Sequence, residues 1–115
     1  MTKLFKLLGV AILAALPMTA LSAPKTATCE VYTADDSYKG KCIFQSEKGG
    51  SFSIKKPKGE ILDGISDINV YVIKKGVAEV SGLTTYGNNS RWGTAVRSSS
   101  DKACWIGDDF TICAR

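Results

Sequence analysis

Four cysteines lie symmetrically around two Asp-Asp dipeptides, and this spacing constrains the fold more than any other feature of the sequence. Cys29 and Cys42 lie six residues either side of Asp35-Asp36, and Cys104 and Cys113 lie four residues either side of Asp108-Asp109. If each dipeptide is the centre of a two-residue turn, each cysteine faces its mate at a non-hydrogen-bonded site, where Cα atoms lie about 4.5 Å apart. The spacing therefore predicts two hairpins, each closed by its own disulfide.

The start of the chain has the pattern of a secretory signal peptide. A positively charged start and an apolar run over 7–16 precede a proline and several small residues. We predict a signal peptide over 1–22, with cleavage after Ser22 or after Ala23, and a single disulfide-bonded β domain over 23–115. The apolar run is too short to cross a bilayer, so we expect a periplasmic or secreted protein with no stable membrane anchor.

Export also decides between the two common uses of four cysteines. Metal sites use short Cys-x-x-Cys spacings or histidine ligands, and this chain has neither, since it contains no histidine. Oxidising compartments favour disulfides in small domains, whose cores alone give little stability. We therefore expect two disulfides and neither a metal nor a cofactor.

The charge balance argues against a nucleic-acid partner. The chain has 15 Lys and Arg against 11 Asp and Glu, and two of the basic residues lie in the predicted signal peptide, which leaves 13 against 11. A nucleic-acid binder would show a strongly basic surface with aromatic platforms. One local excess of positive charge remains over 39–58, where the chain has six lysines and a single acidic residue, Glu47. Two interpretations stay open, a solvated sheet edge or turn protected by lysine and an anion-binding patch.

Short alternating apolar segments, separated by turn residues, indicate an all-β protein. Strands are predicted over 29–33, 41–45, 51–54, 60–62, 68–73, 77–81 and 92–96, with a loop at 87–90. No window has the period of a long amphipathic helix, although a short helical turn fits 63–67. We predict a small antiparallel barrel or sandwich of about eight short strands with two disulfide-stapled hairpins.

Catalytic chemistry has little support in the sequence. Histidine, the commonest general base, is absent. Ser99 and Lys102 have the Ser-x-x-Lys spacing of acylating enzymes, but they lie in a serine-rich turn and not on a helix. Adjacent aspartates at a hairpin tip point apart and suit turn chemistry better than paired acid catalysis. We predict that the protein is not an enzyme.

The segment 80–97 is the best candidate for a recognition surface. It combines small polar residues with tyrosine, tryptophan and arginine around a flexible loop, a composition typical of binding sites held by a rigid sheet. The candidate partner-binding residues are Ser81, Gly82, Tyr86, Asn89, Arg91 and Arg97. The alternative is structural, with Trp92 and Trp105 in the core, Tyr86 partly buried and Arg91 solvated.

The signal peptide, the paired cysteines, the all-β pattern and two short motifs resemble the small periplasmic lysozyme inhibitors of bacteria. Ser81-Gly82 followed by Tyr86 matches the inhibitors' Ser-Gly…Tyr loop, and Trp92-Gly93 matches their second motif, with Arg91 or Arg97 in place of its lysine. The resemblance implies a β-barrel-like fold and a loop that enters the lysozyme cleft. A broader likeness to small exported Gram-negative proteins, carried by Tyr38-x-Gly40-x-Cys42-x-Phe44 and Cys104-Trp105, implies no activity.

Three functions remain open on these residues. The first is inhibition of a lysozyme-like muramidase through a protruding Ser/Tyr/Arg loop. The second is an immunity-type protein that neutralises a toxin directed at the cell envelope, and the third is a structural or interaction module of the envelope. Each implies a protein partner and no nucleic acid, and the sequence leaves the oligomeric state open.

Overall fold

The computed structural model describes residues 22–115, so the predicted signal peptide lies outside the described residues apart from Ser22. Eight antiparallel strands form a closed barrel in chain order. They are β1 Lys25–Thr33, β2 Ser37–Ser46, β3 Phe52–Lys55, β4 Ile65–Lys74, β5 Val77–Thr84, β6 Asn89–Arg97, β7 Cys104–Ile106 and β8 Phe110–Ala114. The predicted all-β class is confirmed, and of the two predicted architectures the barrel is correct.

Each strand pairs with the next along the chain, and β1 pairs with β8 to close the barrel. In this up-and-down order, successive connections alternate between the two ends. The connections at one end are 34–36, 56–64, 85–88 and 107–109, and those at the other are 47–51, 75–76 and 98–103. We call them the acidic end and the basic end because of the charges that their connections carry.

Alternation along the strands places one set of side chains in the core and the other in solvent. Ile68 and Val70 on β4 are buried, whereas Tyr71, the next residue of the same strand, is 64% exposed. The outer face of β4 is therefore open to solvent at Tyr71 and Ile73. Trp105 on β7 is buried in the core, which agrees with the structural interpretation of that residue.

Both predicted disulfides are present, but only one has the predicted register. Cys104 lies directly opposite Cys113, with Cα atoms 4.0 Å apart. Cys29 bonds to Cys42 on the diagonal, because the ladder pairs Cys29 with Gly40, and the two Cα atoms are 5.8 Å apart. The first turn is centred on Ala34-Asp35, since the N–H of Thr33 donates to the carbonyl of Asp36; the predicted centre at Asp35-Asp36 is wrong by one residue.

The segment between β3 and β4 also differs from expectation. The predicted strand over 60–62 and the helical turn over 63–67 are absent. Instead, Leu62 bridges to Ile65 across a tight turn in which Gly64 has a φ of 77°, a left-handed conformation that favours glycine. Ile61 and Leu62 are buried, so this segment covers the core at the acidic end. A short 3₁₀ turn at Lys48–Gly50 joins β2 to β3.

Two of the six lysines of the 39–58 segment, Lys39 and Lys41, lie on the stretch of β2 that pairs with β1 alone, because the β2–β3 ladder begins at Ile43. Their position agrees with the interpretation of a solvated sheet edge protected by lysine. The other four lie in or next to the connections at both ends of the barrel. Within residues 22–115, no helix has the length and apolar character needed to cross a membrane.

Candidate binding site at the acidic end

Two adjoining clefts open at the acidic end of the barrel. The larger has a volume of 580 Å³ and is lined by Thr33, Asp35, Asp36, Leu62, Asp63, Ile65 and Trp92. The smaller, of 240 Å³, is lined by Thr33, Ala34, Asp35, Arg91, Trp92, Asp109 and Phe110. Trp92 lines both clefts together with Thr33 and Asp35, so this half-buried indole lies where the two clefts adjoin.

A β-bulge brings Trp92 to this position. The ladder between β5 and β6 pairs Val80 with Gly93 but Ser81 with Arg91, which leaves Trp92 as the extra residue of β6. Its indole lies edge-on against the ring of Phe110, with centroids 5.6 Å apart. Trp92 is therefore held between the core and the clefts.

Glycine at position 82 makes room for that indole. A Cβ atom built on Gly82 would lie 3.1 Å from Cζ2 of Trp92 and 3.2 Å from Cδ1 of Ile65. These distances are shorter than most van der Waals contacts of a Cβ atom. Gly82 is therefore a packing residue of the barrel end.

Asp36 connects two segments of the acidic end. One oxygen of its carboxylate accepts the N–H of Ser37 at 2.8 Å, and the other accepts the N–H of Asp63 at 2.9 Å. Both hydrogen bonds lower the pKa of Asp36 below its usual value, and the bond from Asp63 has the larger effect. The carboxylate is thus ionised at neutral pH and ties the β1–β2 turn to the segment before β4.

The tip of the β5–β6 hairpin is ordered by its own hydrogen bonds. The N–H groups of Thr84 and Gly87 donate to the carbonyls of Asn88 and Thr84, at 2.8 and 2.9 Å. The N–H of Thr85 donates to the carbonyl of Gly64 at 3.0 Å, which fixes the tip to the turn before β4. Tyr86, at the centre of the tip, is 92% exposed. The tip therefore holds a large aromatic side chain in solvent on an ordered backbone.

The candidate residues from the sequence divide into three groups in the structure. Tyr86, Asn89 and Arg91 are exposed on the tip of the hairpin and the start of β6. Ser81 and Gly82 lie within β5, not in a loop, and Gly82 is buried against Trp92. The expectation that Ser81 and Gly82 protrude is therefore wrong, because the strand continues to Thr84.

Arg97 is separated from the other candidates. It ends β6 at the basic end, where its Nε–H donates to the carbonyl of Lys102 at 2.8 Å. Ser81 remains next to Arg91, because the two residues are opposite each other across the β5–β6 ladder. The hairpin thus brings together Ser81, Tyr86, Asn89 and Arg91.

Asp36, Asp63 and the cleft position of Trp92 are not among the site features predicted from the sequence. Asp36 and Asp63 are 27 residues apart in the chain, so no local motif relates them. The signal that could have found them is the alternation of connections in an up-and-down barrel, which places the β1–β2 turn and the segment before β4 at one end. Within residues 22–115, no three metal-ligating side chains come together.

No protein-family model, curated protein or solved structure matches the chain. The resemblance to lysozyme inhibitors therefore depends on the short Ser-Gly, Tyr and Trp-Gly motifs alone. Function has to be argued from the geometry and charge of the acidic end.

Proposed function

We propose that the protein is a non-enzymatic binding protein of the periplasm that inhibits a lysozyme-like muramidase through its acidic end. The observation that carries the proposal is Tyr86, 92% exposed on a hydrogen-bonded hairpin tip. Aromatic anchors contribute much of the energy of protein interfaces, and an ordered loop loses little entropy on binding. Exposure of such a side chain on an ordered tip is typical of a binding anchor.

The compartment agrees with this function. The two disulfides, Cys29–Cys42 and Cys104–Cys113, indicate an oxidising environment outside the cytoplasm. The predicted signal peptide is the route by which the chain would reach the periplasm. A muramidase acting on the cell wall would meet the protein there.

Arg91 supplies the chemistry that a muramidase cleft would recognise. Glycoside hydrolases of this kind hold two carboxyl groups at the bond that they cleave, and a guanidinium can pair with a carboxylate through two hydrogen bonds. Arg91 is exposed on β6 and lines the smaller cleft at the same end as Tyr86. We infer that Tyr86 enters the substrate groove and that Arg91 pairs with a carboxylate inside it.

The aspartates around the clefts suit a partner with a positive surface around its groove. The connections of the acidic end carry Asp35, Asp36, Glu60, Asp63, Asp108 and Asp109 against Lys56 and Lys58. Complementary charge steers association and increases its rate, with a strong dependence on salt. Inhibition should accordingly weaken as the salt concentration rises.

The direct test is an inhibition assay with the purified disulfide-bonded protein against lysozymes of the chicken, invertebrate and goose types. We expect inhibition of at least one type, and we expect Tyr86→Ala and Arg91→Gln to weaken it. Tyr71→Ala is the matched control, because Tyr71 is an exposed tyrosine on the outer wall.

Lack of inhibition against all three types would refute the proposal, as would an equal loss with Tyr71→Ala. Affinity capture from envelope fractions distinguishes the other functions. A toxin-like enzyme in the eluate, without inhibition of lysozyme, would identify an immunity protein instead.

A further inference from the structure

In the part of the chain that the structure describes, the basic end carries positive side chains without carboxylate partners. Lys48, Lys75 and Lys102 lie in its connections, and Lys74 and Arg97 end the adjoining strands. Within residues 22–115, the ion pairs are those of Arg115 with Asp101 at 3.0 Å and with Glu30 at 3.6 Å. Asp101 is therefore already neutralised, and Glu47 is the remaining acid in these connections. The end as a whole presents a positive surface.

Aliphatic side chains are exposed beside these lysines. Ile73, next to Lys74, is 49% exposed, and Val96 on β6 is 56% exposed. Val96 pairs with Val77 across the ladder, and the N–H of Arg97 donates to the carbonyl of Gly76 at 2.9 Å. The β4–β5 hairpin and the end of β6 thus form one surface that combines lysine with aliphatic groups.

The same end contains a small pocket with aromatic walls and a basic rim. Its volume is 130 Å³, and its lining includes the buried Phe52 and Trp105 and the exposed Arg97 and Lys102. The guanidinium of Arg97 lies 5.6 Å from the centroid of the Trp105 ring, and its Nε–H bonds to the carbonyl of Lys102. These contacts fix a positive group at the rim, where it can bind a phosphate oxygen.

We propose that the basic end docks reversibly on an anionic phospholipid bilayer. The lysines face lipid phosphates, Ile73 and Val96 enter the boundary between headgroups and acyl chains, and Arg97 with Lys102 holds one phosphate. Lysine charge combined with exposed apolar groups is the pattern of peripheral membrane surfaces. A soluble phosphate ester shares the headgroup chemistry, but it would leave the exposed aliphatic groups without a role.

The opposite charges of the two ends orient the barrel on the membrane. The acidic end lies at the opposite end of the barrel, and an anionic surface repels its aspartates. The barrel would therefore stand with Tyr86 and the two clefts pointing into the solution. A partner could reach the candidate binding site while the protein is on the membrane.

The test is cosedimentation of the purified protein with phosphatidylcholine vesicles, with and without about one third phosphatidylglycerol. We expect binding only with phosphatidylglycerol and weakening by salt. The variant K74Q/K75Q should lower the partition coefficient about 30-fold. The control K55Q/K58Q removes the same charge at the acidic end and should leave partitioning unchanged. Ile73→Ser should also weaken binding, whereas Tyr86→Ser should not.

Three results would overturn the proposal. The first is lack of cosedimentation with phosphatidylglycerol vesicles, and the second is an equal loss of binding in K55Q/K58Q. The third is binding of soluble glycerol phosphate, measured by the change in Trp105 fluorescence, together with no binding to vesicles. That result would show an anion pocket only. Inhibition of a muramidase is not needed for any of these outcomes.

Discussion

Trp92 lies so close to Gly82 that a Cβ atom on the glycine would approach its indole to 3.1 Å. The contact joins β5 to the bulged residue of β6, which lines both clefts of the acidic end. Gly82 therefore links the packing of the barrel to the shape of its candidate site.

Gly82→Ala should lower the free energy of unfolding by about 1–3 kcal/mol, because Trp92 and Ile65 must both move to admit the methyl group. Urea unfolding followed by tryptophan fluorescence measures the change. Ser81→Ala is the control, since Ser81 lies next in the strand and outside the core, and it should change stability by less than about 0.5 kcal/mol. Equal stability of the two variants would show that the indole is not packed on Gly82.

Asp36 should contribute to the acid sensitivity of folding. Its pKa is lower in the folded protein than in the unfolded chain, mainly because the N–H of Asp63 donates to its carboxylate. The ionised group therefore stabilises the fold fully above the unfolded value of about 3.9, and this contribution is lost as the pH falls through the folded pKa.

Asp36→Asn should be less stable than the natural protein at pH 7 and should lose less stability between about pH 5 and pH 2. Urea unfolding at several pH values checks this expectation. Asp35→Asn removes one charge from the same turn and should keep the steeper acid dependence of the natural protein. Identical pH profiles for Asp36→Asn and the natural protein would contradict the assignment.

Each disulfide should contribute about 2.5–3 kcal/mol to the free energy of unfolding, because each closes a short loop and restricts the unfolded chain. The sequence separations are 13 for Cys29–Cys42 and 9 for Cys104–Cys113. The variants C29A/C42A and C104A/C113A should each lose about this amount in chemical unfolding. Each variant retains one disulfide, so a reducing agent should lower its free energy of unfolding only by the contribution of that bond. A larger decrease would indicate a different pairing of the cysteines.

Tyr86→Ala should separate binding from stability. The side chain is 92% exposed, so its removal should change the free energy of unfolding by less than about 0.5 kcal/mol. Loss of an aromatic anchor should weaken the affinity for the partner about 30-fold or more. Titration calorimetry with the inhibited muramidase measures this effect, and a loss of both affinity and stability would show that Tyr86 supports the fold instead.

The disulfides show why pairing could be predicted from the sequence more reliably than register. Asp108-Asp109 is a two-residue loop, so Cys104 and Cys113 are opposite each other as predicted. The first turn is centred one residue earlier than predicted, which shifts the ladder by two residues and makes the bond between Cys29 and Cys42 diagonal. Because side chains alternate with period two, this shift keeps both sulfur atoms on the inner face.

The candidate site was less accessible to sequence reasoning, because it depends on contacts between distant segments. The loop composition around Tyr86 and Arg91 indicated an exposed hairpin, and the structure has one. The cleft depends on the bulge at Trp92 and on the bond from Asp63 to Asp36, which neither periodicity nor spacing shows. The charge difference between the two ends appears only when the number and order of the strands are known.

Closure of the barrel has a consequence for how the chain folds. Each disulfide lies within one hairpin, so neither crosses the pairing of β1 with β8, which joins the two ends of the domain. Both covalent bonds can therefore form in local hairpins before the slow, long-range step that closes the barrel. In the oxidised protein the β1–β8 seam is held by backbone hydrogen bonds, packing and the contact of Arg115 with Glu30. Neither disulfide therefore prevents this seam from opening, even with every cysteine oxidised.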